Sequence, residues 1–247
     1  MVKLHKTGYF FIMFLSMFLL FGAWSVGATP EKDEGPVEKE SLEDTPQSMD
    51  EVQPEAFSAK EKENTFKVFL DPGHGGKDTG ATSNGLKEKD VVLDIALETK
   101  KVLDKEYEGV ETKISRDSDR FVELTDRAKQ ANDWGADYFA SFHLNSLDGS
   151  ASGFESYIYN GDVSEETKTR QNHIHSYLAD RIDVKDRGRK SANYSVLRNT
   201  SMSSILLEYM FIDDSSENEL LQKESYRKQL GKLTAKSIAD TYDLSKK

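Results

Sequence analysis

From residue 65 onward, short apolar runs alternate with longer stretches in which apolar residues recur every three or four positions. Lys67 to Asp71 is the first run and predicts a strand. Asp90 to Leu103 places Val92, Ile95, Ala96, Thr99, Val102 and Leu103 on one helical stripe. Val110, Thr112 and Ile114 alternate onto one face of a second strand, Val110 to Ser115. Glu123 to Trp134 predicts a helix, with Gly135 just beyond it as a stop. Tyr138 to Phe142 is almost continuously apolar, as in strands buried on both faces. Phe154 to Tyr159 predicts another strand, and Glu165 to Ile182 a helix. Tyr194 to Leu197 and Ser204 to Met210 predict two more strands. The last helix, Tyr226 to Tyr242, carries Leu230, Leu233, Ile238 and Thr241 at core spacing. This alternation predicts a single α/β domain. Its largely parallel twisted sheet has about six strands and is covered by helices on both faces.

The first 64 residues break the pattern. Lys3 and Lys6 precede an uncharged apolar stretch, Tyr9 to Val26, and Val26-Gly27-Ala28 offers the small residues of a cleavage site. Residues 1–28 therefore read as a signal peptide. The apolar stretch also approaches the ~20 residues that span a bilayer, so an uncleaved membrane anchor is the other reading. Either way the remainder is expected outside the cytoplasmic membrane, extracellular or in the cell envelope. Residues 29–64 hold twelve acidic residues against four lysines, and four of the five prolines. Such a segment cannot bury enough apolar surface to offset its chain entropy and reads as a disordered acidic linker. It carries −8 of the formal net charge of −11, and that sign disfavours nucleic acid as a partner. Residues 65–247 remain as one domain of ordinary size. The chain has no cysteine, which excludes disulfides, thiolate metal sites and a lipid-modified cysteine anchor.

Within that domain, His74 and His143 each fall just past the carboxyl end of an apolar run, where open α/β sheets bind their ligands. His74 is crowded by Gly73, Gly75 and Gly76, which leave room around an imidazole. His173 and His175 lie on a predicted helix and read as ordinary surface or satisfied core residues. A catalytic zinc typically takes three protein ligands, and without cysteine the third partner for two histidines is a carboxylate. Glu88, at the start of the first helix, is the candidate, although helix capping alone would also account for it. Glu208 has three apolar or aromatic neighbours on each side, a costly place for a carboxylate unless it is paired, metal-linked or functional. It reads as a general base, with a structural ion pair as the alternative. Other chemistry finds no pattern: Gly76-Lys77 lacks the rest of a phosphate loop, and no Gly-x-Ser-x-Gly or His-Glu-x-x-His occurs.

At these residues the chain resembles the zinc-dependent N-acetylmuramoyl-L-alanine amidases of bacterial cell walls, the type 3 amidase family. Asp71-Pro-Gly-His-Gly-Gly76 with Asp78 and Gly80-Ala81 is similar to the family's opening block. Glu88 follows at the family's spacing, and Ser115-Arg-Asp117 and Arg127 come next. Then follow Ser141-Phe-His-Leu-Asn145, Arg187-Gly188, Asn193, Val196-Leu-Arg198 and Ile205 to Ile212. The resemblance implies that His74, Glu88 and His143 bind one Zn²⁺ and that Glu208 is catalytic. It implies cleavage of the amide between N-acetylmuramic acid and L-alanine, with peptidoglycan as the partner. Targeting would fall to the acidic segment, a membrane tether or a protein partner. Met210 and Asp213-Asp214 depart from the family's usual Gly and Ser-Asn. The Asn145 to Gly153 segment is too short for the autoinhibitory helix that some relatives insert. Two alternatives stay open: a zinc peptidase acting on another wall bond, and a catalytically idle wall-binding or hydrolase-recruiting protein.

Overall fold

Alternation along β1 (Phe66–Pro72) sends Val68 and Leu70 into one apolar layer and Phe69 into another, so this strand divides the molecule. The computed structural model describes residues 65–247; the expected signal or anchor segment and the acidic linker, residues 1–64, lie outside the described residues. A small hairpin, β2 (Thr82–Ser83) and β3 (Leu86–Lys87), follows β1 and runs into helix α1 (Glu88–Glu106). Then come β4 (Val110–Ile114), α2 (Leu124–Trp134), β5 (Tyr138–Asn145), β6 (Phe154–Tyr159) and α3 (Glu165–Ala179). β7 (Asp186–Ala192), α4 (Ser195–Arg198), β8 (Ser203–Phe211), α5 (Ser215–Leu221) and α6 (Glu224–Thr241) complete the order.

The main sheet among the described residues has six strands in the order β4-β1-β5-β8-β6-β7. β4, β1, β5 and β8 are mutually parallel. β6 runs antiparallel to β8, and β7 parallel to β6. The α/β class, the mostly parallel sheet and the helices on both faces are as the sequence predicts. Two assignments differ. Tyr194 to Leu197, expected as a strand, is the N-cap and first residues of α4, with Val196 and Leu197 buried against the sheet. A four-residue run fits one helical turn as well as a strand, and burial of only the adjacent Val196 and Leu197, the middle residues of α4, favours the turn. The sixth strand is instead β7, Asp-Arg-Gly-Arg-Lys-Ser-Ala, an edge strand with no apolar alternation to announce it.

Helices α1, α3 and α6 cover one face. Ile95, Leu103, Ile174, Leu178, Leu230 and Ile238 pack there on Val68, Leu70, Phe142 and Leu207. The other face is thinner, with Ala131 of α2 and Val196 and Leu197 of α4 against Phe69, Phe139 and Leu206. Phe69 and Phe139 stack at 5.9 Å between centroids. Because side chains alternate with period two, Asp71, Ser141, His143 and Glu208 share the thinner face with these apolar residues. All of the candidate chemistry on β1, β5 and β8 therefore emerges at one end of one face.

His175 is a satisfied core residue. It lies 2.9 Å from both Ser156 Oγ and Asp186 Oδ1 and stacks on Phe154 at 4.9 Å. Ser156 has the residue type of a nucleophile in such a trio but is fully buried, so the cluster locks α3 to β6 and β7. Among the described residues no helix is long and apolar enough to cross a membrane.

Candidate metal centre and catalytic carboxylate

The loop after β1 is shaped by buried arginines that bind its carbonyls. Arg116 donates to Pro72 O at 3.1 Å, and to Gly73 O and Lys89 O at 2.7 Å. Arg127 donates to Pro72 O at 2.7 Å and His74 O at 2.6 Å, and pairs with buried Asp71 at 2.8 Å. Asp71 also accepts from Ser115 Oγ at 2.6 Å and Ser141 Oγ at 3.0 Å. Carbonyls turned inward by a tight loop would cost several kcal/mol if left unpaired, about 1–3 each. The guanidinium forks satisfy several at once. His74 is thereby held at φ 59°, a left-handed conformation uncommon outside glycine. Its ring is fixed by Asp78, whose Oδ2 lies 2.8 Å from Nδ1.

Three side chains converge beside this loop. His74 Nε2 is 3.1 Å from Glu88 Oε1, and His143 Nδ1 is 3.0 Å from the same oxygen. One atom from each of the three lies within 4.8 Å of the other two, the geometry of a group that can hold a metal ion. Glu88 opens α1, and its carboxylate is oriented by the backbone: Leu144 N donates to Oε1 at 3.0 Å and Ala81 N to Oε2 at 2.9 Å. Two glycines make the approach feasible. A Cβ on Gly73 would fall 2.2 Å from the His143 ring. One on Gly80, at φ +62°, would fall 2.6 Å from Glu88 Oε2 and 2.7 Å from the His74 ring.

The electrostatics of the trio call for positive charge. Burial opposes ionisation of Glu88, yet hydrogen bonds and charge from His143 and His74 hold its pKa far below the usual carboxylate range. Burial likewise opposes protonation of His74, but Glu88 and Asp78 outweigh it and raise its pKa. Two imidazole nitrogens and one carboxylate oxygen gathered within 4.8 Å of one another are a borderline-soft donor set that suits a divalent transition ion.

Glu208 sits one strand away, opposite His143 in the β5–β8 register. It is buried, and its Oε2 has no hydrogen-bond partner among the described residues. Burial pushes its pKa well above the usual range; the charges of Glu88 and Glu155 add to this, and Lys190 opposes it. A cavity of about 400 Å³ opens over His74, His143 and Glu208, with Phe121, Leu124 and Tyr194 on its apolar flank. Leu124 and Tyr194 are partly exposed at this rim. Ordered placement of two imidazoles and a partnerless carboxylate in a half-apolar cleft suits activation of water against a polar bond.

All four residues singled out in the sequence thus lie together. Sequence reasoning assigned no role to Asp78, Arg116 and Arg127, which set the backbone and the His74 ring. The departures from the family pattern have local explanations. Met210 is fully buried in the larger apolar layer, Asp214 caps α5 by accepting from Ser216 N and Glu217 N, and Asp213 Oδ2 accepts from Ser146 Oγ, Leu147 N and Gly149 N. The β5–β6 connection that Asp213 gathers contains no helix.

Comparison with known proteins gives the same direction. Residues 68–240 match the family profile described as N-acetylmuramoyl-L-alanine amidase. The chain is 47% identical over 180 residues to the sporulation-specific N-acetylmuramoyl-L-alanine amidase of Bacillus subtilis, covering 73% of this chain and 69% of that protein. It is 43% identical to the amidase CwlM of Bacillus licheniformis, covering 73% and 70%. The crystal structure of an N-acetylmuramoyl-L-alanine amidase from Clostridium difficile 630 superposes with a TM-score of 0.69 at 33% identity, covering 73% of this chain and 98% of that one. The α/β sheet and its strand-end cleft are those of a hydrolase. The chain belongs to the N-acetylmuramoyl-L-alanine amidase family, whose members hydrolyse an amide bond in peptidoglycan.

Proposed function

We propose that the chain is a zinc-dependent amidase in which His74, Glu88 and His143 hold one Zn²⁺ and Glu208 handles the proton. The bond cut is the amide between the lactyl group of N-acetylmuramic acid and L-alanine. The single observation that carries this reading is the partnerless, buried carboxylate of Glu208 standing beside the His74–Glu88–His143 trio. The donor set fits zinc: two imidazoles and one carboxylate leave an open position, and glycines at 73 and 80 leave space that a Cβ would fill. When bound, Zn²⁺ supplies a Lewis acid that acidifies water, polarises the scissile carbonyl and offsets the negative charge around Glu208.

The residues of the chain then divide the work. Glu208 accepts a proton from water as its oxygen bonds to the carbonyl carbon. The same carboxyl returns that proton to the alanine nitrogen as the C–N bond breaks, and the second proton of the water passes to the released amine, leaving a lactyl carboxylate and an ammonium group. Phe121, Leu124 and Tyr194 offer an apolar surface to the sugar ring and the alanine methyl, and they exclude water on that side. Asp78 keeps the His74 ring in place through Nδ1. Replacing Asp78 by Ala is expected to weaken zinc binding about 10–100-fold, as is usual for partners that orient a ligand. Competition against a zinc chelator measures this, and unaltered affinity would remove Asp78 from the site. The reaction is assigned to the cell envelope, outside the cytoplasmic membrane, with residues 1–28 as the export signal or membrane tether.

Digestion of purified peptidoglycan by the full chain, read by mass, tests the function. New L-alanine amino termini that vanish with chelator and return with zinc are expected. New reducing ends or cuts elsewhere in the peptide would replace the amidase reading. Bound zinc without any product would favour a wall-binding protein that recruits another hydrolase.

A further inference from the structure

Glu155 of β6 stands directly across from Glu208 in the antiparallel register, on the side away from His143. Register partners put their side chains on one face, so His143, Glu208 and Glu155 form a row. Its two carboxylates have opposite surroundings. Glu155 Oε1 accepts from Asn145 Nδ2 at 2.7 Å and Tyr157 OH at 2.7 Å; Oε2 accepts from Arg187 Nε at 2.8 Å and from Lys190 Nζ. Burial would raise its pKa, but these donors hold it at about 2. Glu208, the next carboxylate along, has a buried oxygen, Oε2, with no donor among the described residues.

The two cations on Glu155 are not equally anchored. Arg187 also donates from Nη1 to Ser152 O at 3.3 Å and lies over the Phe211 ring at 4.8 Å. Lys190 has no other hydrogen-bond acceptor among the described residues and rests 5.7 Å from the Tyr157 ring centroid. Its charge already bears on Glu208. A lysine is a point charge on a flexible four-carbon stem. Freed from Glu155, it would meet Glu208 as the next unsatisfied acceptor in the row. A carboxylate paired with an ammonium is a poor proton acceptor, because the pairing favours its charged form.

We propose that Glu155 is a positioning residue for the hydrolysis: by holding Lys190 it keeps that ammonium off Glu208 and leaves the Glu208 carboxylate free to take the proton. This rests on the reading of Glu208 as proton acceptor. It differs from a role in holding the sheet together, because it makes the effect of Glu155 depend on the presence of a lysine at 190.

The test is a double-variant cycle in the full chain loaded with zinc, with kcat and KM measured on solubilised peptidoglycan fragments. Bound zinc and thermal unfolding are followed in parallel. Glu155→Gln is expected to lower kcat about tenfold or more, a part of the 10²–10⁴ that a general base contributes, with a smaller change in KM. In the Lys190→Met background the same substitution is expected to cost little, so that Glu155→Gln/Lys190→Met turns over faster than Glu155→Gln. Glu155→Asp, which still offers Lys190 a carboxylate, stays near the parent and keeps the test open if Glu155→Gln fails to fold. Losses that multiply in the double variant, or an unaltered kcat in Glu155→Gln, overturn the inference while leaving Glu208 in place. Glu208→Gln separates the two ideas: parent-like turnover there would remove the proton acceptor itself.

Discussion

Glu208→Gln is expected to lower turnover on peptidoglycan by about 10²–10⁴-fold, the usual contribution of a general base, with zinc binding and fold retained. The substitution conserves shape in the middle of β8, whose backbone is bonded to β5 on one side and β6 on the other, so the sheet is unaffected. A neutral amide also removes a like charge from between Glu88 and Glu155, both of which push the Glu208 pKa upward. The variant should therefore unfold at the same or a higher temperature than the parent, the pattern of a site that trades stability for activity. Its amide cannot accept a proton from water at neutral pH. Lost activity with retained zinc and retained melting temperature would place the loss in the proton transfer. Unchanged turnover would take Glu208 out of the reaction and return it to the structural reading that its sequence context also permitted.

How much could be read from the chain depended on what each residue contacts. The central strands were legible because β1, β5 and β8 are buried on both faces, and their apolar runs have no other use. The site residues were legible for the same reason: His74 and Glu208 interrupt or end apolar context, where a polar side chain needs a purpose. β7 was not legible, because this edge strand, Asp-Arg-Gly-Arg-Lys-Ser-Ala, has no apolar alternation and satisfies charges locally, as Arg187 and Lys190 do on Glu155. The direction of β6 was equally hidden. A run such as Phe-Glu-Ser-Tyr-Ile-Tyr reads alike in either direction, and its antiparallel placement beside β8 follows from the path of the 146–153 connection. That direction is what sets Glu155 opposite Glu208. Arg116 and Arg127 fall in blocks that resemble the family, but their role was not legible because most of their partners are backbone carbonyls, which every residue has.

Glu88→Ala is expected to weaken zinc binding more than about 100-fold, beyond the 10–100-fold typical of a partner that only orients a ligand. Glu88 Oε1 faces both imidazoles, so its loss leaves two neutral nitrogens and no anion. It also frees Leu144 N and Ala81 N, which lie at the ends of the segments carrying His143 and His74. Glu88→Gln separates these effects, since an amide oxygen can still accept from the backbone but carries no charge for the metal. Asp90, two residues on and exposed in the first turn of α1, is the reference: a carboxylate with the same helix-dipole benefit but outside the trio. Asp90→Ala should keep parent zinc affinity and regain full activity when zinc follows chelation. Glu88→Ala should regain activity only at much higher zinc. Equal losses in the two variants would mean that the helix terminus, rather than a direct Glu88 ligand, is what the metal depends on, and the third ligand would have to be sought elsewhere around the His74 and His143 rings.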